Sequence, residues 1–118
     1  MSIERIQPGP RMSQAVKHNG VVYLAGQVAS GALRAGVADQ TRDILARIDS
    51  LLSEAGTDKT RLLTATIWLV DMAGFQEMNG VWDAWVAPGA APARATVSSP
   101  KLASPDYKIE IAVTAAMP

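Results

Sequence analysis

Two charged residues stand inside otherwise uncharged, strand-like runs: Arg94 in Ala93-Arg94-Ala95-Thr96-Val97, and Glu110 in Ile109-Glu110-Ile111. A charge in such a setting needs a partner or a purpose, because burying it unpaired is costly. The plain alternative is a salt bridge between the two, or with a neighbouring subunit. The chemical alternative is a guanidinium that grips a small organic acid bidentately, beside a carboxyl group that activates water. Most other chemistries drop out. The 118 residues contain no Cys, which excludes thiolate nucleophiles, disulfides and Cys-based zinc or iron–sulfur sites. The one His, His18, reads as a solvated turn residue beside Asn19-Gly20, and a His-clustered metal site within one chain is excluded. No G-x-S-x-G, P-loop or G-x-G-x-x-G occurs. Carboxylates, guanidinium groups, backbone donors and water remain.

Composition narrows the field further. Lys plus Arg and Asp plus Glu each number 11, so the net charge is zero. That argues against a nucleic-acid binder and removes the repulsion that keeps small proteins apart. With 48% hydrophobic and 19% charged residues the chain is an ordinary globular one, of a length for a single domain over 1–118. No apolar run approaches the roughly 18 residues of a membrane span, and the first residues lack a signal peptide's apolar stretch. The expectation is a soluble, cytoplasmic protein with no membrane partner.

The elements that must position Arg94 and Glu110 follow from pattern. Asn19-Gly20, flanked by Ala15-Val16 and Val21-Val22-Tyr23-Leu24, predicts a β-hairpin over Met12–Val28, because a type I′ turn needs positive φ at both central residues. Ile44, Leu45, Ile48, Leu51, Leu52 and Ala55 repeat at the helical period. They predict a helix over Ala38–Ala55, with Asp39 as N-cap and Gly56 as the left-handed terminator. Leu62–Val70 predicts a strand, after which Asp71 caps a second helix, Ala73–Val86, whose Phe75, Met78, Trp82, Trp85 and Val86 share one face. Trp82 and Trp85 read as core. Strands over Ala93–Ser98 and Tyr107–Ala115 complete the order β-β-α-β-α-β-β. Gln7-Pro8-Gly9-Pro10 and Ala87-Pro88-Gly89-Ala90-Ala91-Pro92 read as loops. The fold class is α+β: one mixed sheet of five strands with two helices on one face.

The helices cover one face only. The other is expected to carry Thr64, Thr66, Trp68, Arg94, Thr96, Glu110, Ala112 and Thr114, which is too apolar for a wet surface. We expect another subunit to cover it and the clefts to lie between subunits. Gly26, before Gln27, marks a bulge or a place where backbone meets ligand.

With these residues placed, the chain resembles the RidA family, also called the YjgF/YER057c/UK114 family of imine deaminases, along almost its whole length. The resemblance rests on Ser13-Gln14-Ala15-Val16, Gly20 through Val28, Glu54-Ala55-Gly56, the strand from Thr64 to Asp71, Met78-Asn79 with Trp82, Pro92-Ala93-Arg94 and Lys108-Ile109-Glu110-Ile111. It implies a chorismate-mutase-like fold, a homotrimer with the sheets in a central barrel, and ligand clefts at subunit interfaces. It also implies cofactor-free hydrolysis of enamine and imine intermediates to 2-keto acids and ammonia. Carried over residue by residue, Arg94 matches the arginine that holds the substrate carboxylate, and Glu110 the glutamate that positions or activates water. Asn79 matches an asparagine of the cleft wall, and Gly26 a glycine whose backbone borders the ligand. Met12 stands at the substrate-binding position where the archetype has Tyr, Ala25 where it has Ser, and Ala112 where it has a second Glu. The chain thus resembles the family's divergent subgroups. The alternative reading is a non-enzymatic trimeric module that binds small carboxylates or a protein partner through the same cleft.

Overall fold

In the computed structural model, which describes residues 2–118, the chain forms seven strands and two α-helices. The strands are β1 (Glu4–Pro8), β2 (Ser13–His18), β3 (Val21–Leu24), β4 (Gln27–Val28), β5 (Leu62–Leu69), β6 (Ala93–Ser98) and β7 (Ile109–Ala116). The helices are α1 (Val37–Ala55) and α2 (Phe75–Trp85). The sheet order is β1-β2-β3-β7-β5-β6, with the short β4 also paired to β7. All pairs are antiparallel except β5–β6, which run parallel across the α2 crossover.

The hairpin forms as its turn chemistry dictates, with φ of 53° at Asn19 and 77° at Gly20. The α1 stripe is the core: Ile44, Leu45, Ile48, Leu51 and Leu52 are buried against Ile67, Ile109, Ile111 and Val113 of the sheet. Each such side chain contributes about 1.5–3 kcal/mol by leaving water. Gly56 ends the helix at φ 93°, where its N–H and that of Thr57 reach back to the Ser53 and Leu52 carbonyls.

Some elements differ from the pattern reading. Strands β1 and β4 extend the expected five-stranded sheet to seven. Gly36, with no side-chain cap, precedes α1, while Asp39 lies in the first turn and pairs with Arg42 at 2.7 Å. Asp71 does cap, accepting from the Ala73 N–H at 2.9 Å, but what it caps is a single 3-10 turn, Met72–Gly74, that leads into α2. Tyr107 precedes β7 rather than opening it.

The most consequential difference concerns the face of β6. Its parallel register sets Arg94 beside Ala65 and Thr96 beside Ile67, and both of those β5 residues are buried under the helices. Arg94 and Thr96 therefore face α2 and not the open side of the sheet. Ala93, Ala95 and Val97 take the open side, beside Thr64, Thr66 and Trp68. Glu110 pairs with Trp68, Ala112 with Thr66 and Thr114 with Thr64, so these three lie on the open face as expected. Tyr23, paired with Thr114, joins them.

Candidate functional site

Arg94 is held by α2. Phe75, Asn79 and Trp82 follow one another at intervals of four and three residues, so they form one stripe of that helix. The Arg94 guanidinium carbon lies 5.3 Å from the centroid of the Trp82 ring and 6.0 Å from that of Phe75. Asn79, between those rings along the helix, belongs to the same patch. Arg94 has no acidic partner among the described residues. The aromatic rings attract the charge electrostatically and leave its N–H groups free. Two polar atoms near this stripe, Asn79 Oδ1 and Thr96 Oγ1, are buried with no hydrogen-bond partner. Buried polar atoms are nearly always paired, so these two are exceptions, both on elements that face one another across the α2 side of the sheet.

Glu110 sits on the opposite face of the sheet, flanked in register by Trp68 on β5 and Val28 on β4. Its carboxyl lies directly over Gly26, the break between β3 and β4. A Cβ built on Gly26 would fall 2.9 Å from Glu110 Cδ and collide with Oε2. What Gly26 admits to its backbone is thus this carboxyl group. Burial pushes the Glu110 carboxyl above the ordinary range for a glutamate. No cation pairs with it among the described residues, and the alternative of an Arg94–Glu110 salt bridge does not form within the chain.

The start of β7, and with it Glu110, is fixed by a residue the pattern reading passed over. Gln40 of α1 is fully buried and spends its amide on the segment before β7. It donates to the carbonyls of Ala32 (3.1 Å) and Asp106 (2.8 Å) and accepts from the Lys108 N–H (2.8 Å).

The remaining candidates fall elsewhere. Met12 is 48% exposed in the turn between β1 and β2, where its carbonyl accepts from Gly9 N–H. His18, read from the sequence as a solvated turn residue, is the last residue of β2, half-buried, with Nδ1 3.4 Å from the Ser2 carbonyl. No cluster of metal-ligating side chains exists among the described residues. Two cavities are lined by other groups. One of about 410 Å³ lies between α1 and the strands, against Gln7, Gln14, Gln27, Asp43 and Arg47. Another of about 530 Å³ lies between Val70, Tyr107 and the 100–105 loop. The structure thus brings Arg94 against the helix stripe that carries Asn79, and Glu110 over Gly26, and sets the two groups on opposite faces of one sheet. The first pair can anchor a carboxylate; the second holds a carboxyl group suited to accept a proton.

Residues 2–117 match the protein family described as endoribonuclease L-PSP. A RutC family protein of Haemophilus ducreyi is 44% identical over 115 residues, covering 98% of this chain and 97% of that one. The RutC family protein YoaB of Escherichia coli is 43% identical over 117 residues, covering 99% of this chain and all of the other. Among solved structures, a YjgF family protein of Neisseria meningitidis superposes with a TM-score of 0.93 at 47% identity, covering 100% of this chain and 97% of that one.

Proposed function

The chain belongs to the endoribonuclease L-PSP family, whose RutC and YjgF members it matches along its whole length, and on that premise we propose that it is a cofactor-independent imine/enamine deaminase working in clefts between copies of the chain. The observation that carries this reading is the pair of uncompensated charges. Arg94 and Glu110 are each half-buried and unpaired among the described residues, on opposite sides of the sheet. A second copy supplies what each lacks if the Arg94 edge of one meets the Glu110 face of the next.

The open face supports assembly. Thr64, Thr66, Trp68, Ala93, Ala95, Val97, Ala112, Thr114 and Tyr23 surround Glu110, the one charge in that set. With Ala93, Ala95 and Val97 in place of Arg94 and Thr96, this surface is more apolar than the sequence reading supposed. A cyclic homotrimer, as the resemblance implies, would bury it. The relatives' family description names a ribonuclease, but the zero net charge favours a small carboxylate over a polyanion.

In the cleft, Arg94 would bind the carboxylate of a 2-imino acid through two parallel N–H donors, with Asn79 on the cleft wall. Glu110, its basicity raised by burial, would take a proton from water as the oxygen adds to the C=N carbon. That proton then passes to nitrogen. Collapse of the tetrahedral carbinolamine releases ammonia and leaves the 2-keto acid. Imines hydrolyse unaided in water, so positioning and charge placement suffice as catalysis.

The test is complementation. Arg94→Ala and Glu110→Ala proteins, each assayed alone on imines generated by an amino-acid oxidase, should lose accelerated keto-acid release. Unfolded together, mixed in equal amounts and refolded, they should recover about a quarter of the wild-type rate, since each interface needs one intact residue from each neighbour. Full activity of Arg94→Ala alone, or no recovery in refolded mixed assemblies, would overturn the reading.

A further inference from the structure

We propose that Trp82, supported by Phe75, is the positioning residue for Arg94: the two rings hold the guanidinium plane so that its N–H edge faces a carboxylate ligand instead of an acid of the same chain. Pattern alone makes Trp82 a core residue, and it is one, at 5% exposure. Its contact with the guanidinium carbon at 5.3 Å, with Phe75 at 6.0 Å, gives it a second task. An arginine on an edge strand has rotamers that reach solvent, and ordering it on binding costs side-chain entropy. Stacking on the indole meets that cost before the ligand arrives and leaves the donors unspent.

That the ligand is a carboxylate rests on the deaminase reading; the contact of the two rings with the guanidinium does not.

The experiment has a ligand-free arm and a binding arm. In ¹H–¹⁵N spectra of the assembled protein, the Arg94 Nε–H resonance (assigned by its absence in Arg94→Lys) should be displaced upfield by the rings, and Trp82→Leu should remove that displacement. Binding of 2-oxobutanoate, measured by calorimetry, should weaken roughly fivefold to thirtyfold in Trp82→Leu, with Trp82→Phe recovering most of the loss. In turnover the same variant should raise KM with little change in kcat. Phe75→Leu, at a half-buried position, supplies a milder variant should Trp82→Leu fail to fold. An undisplaced Arg94 resonance in the wild type, equal affinity in both Trp82 variants, or absence of Arg94-dependent binding of the probe would overturn the proposal. Intact binding with no acceleration of imine hydrolysis would overturn the deaminase reading and leave the positioning role standing.

Discussion

Gly26→Ala is the substitution that most directly probes how Glu110 is placed. Gly26 does not have a positive φ, so its backbone accepts a side chain without strain. The obstacle is the Glu110 carboxyl. The new Cβ would stand 2.9 Å from Cδ and 3.2 Å from Cγ, against the 3.5–4.0 Å at which carbon atoms rest. Oε2 would stand closer still, so the carboxyl group must withdraw by about 1 Å or slightly more. It is the far end of a flexible side chain, so the fold should survive with a change of less than about 1 kcal/mol, and the lower entropy of the unfolded alanine chain offsets part of that. Activity should not survive as well. A misplacement near 1 Å of a group that must meet a water and a carbon atom lowers turnover by up to about a hundredfold. The assay is imine-dependent keto-acid release, read with thermal unfolding, in wild type, Gly26→Ala, Glu110→Ala and the double variant. If Gly26→Ala acts through Glu110, it should change nothing further once Glu110 is alanine. Losses that multiply in the double variant, or an unchanged kcat in Gly26→Ala, would refute the reasoning.

Three further outcomes follow from the same structure. Burial raises the Glu110 carboxyl, and the ionised form is the one that accepts a proton, so activity should fall as pH drops through that raised value, and Glu110→Gln should be slow with no such acid limb. In stability the sign is opposite: a raised carboxyl favours the fold while protonated and loses that contribution as pH rises through it, so thermal melts should show Glu110→Gln gaining on the wild type between mildly acidic and neutral pH. Gly80 sits in the interior of α2 where an added Cβ meets nothing within 4 Å, so Gly80→Ala should stabilise the protein by about 0.5–1 kcal/mol, seen as a Tm higher by about 4 °C.

The periodic elements were legible because burial writes itself into spacing. Ile44 to Ala55 name α1, and the alternation of Ile109, Ile111, Val113 and Ala115 names β7. Strand β1 was not legible because Glu4–Pro8 contains a single buried residue, Ile6, and ends in the Pro8-Gly9-Pro10 run that reads as loop. An edge strand that buries one side chain leaves no period to detect. Among the candidate site residues, Arg94 and Glu110 stood out as charges within apolar patterns, and that signal was sound. Their sidedness was not available from pattern. In Ala93–Ser98 the set Ala93, Ala95, Val97 looks like the inward one and Arg94, Thr96, Ser98 like the outward one. The structure inverts this because α2 offers Arg94 two aromatic rings, a surface that hydrophobic patterning does not represent. Gln40 was missed for a related reason: it is a buried amide whose partners are all backbone groups, those of Asp106 and Lys108 distant in sequence, and nothing local marks it.

The parallel pairing of β6 with β5 has an effect beyond geometry. Side chains alternate along a strand, so sliding β6 by one residue would carry the cation to the acid's side of the sheet. The Pro-Gly connection from Ala87 to Pro92, with its tight turn at Gly89, therefore sets a phase as well as a path. That phase keeps the two ions apart within one copy, so the proposed chemistry predicts a rate per chain that falls on dilution to single copies.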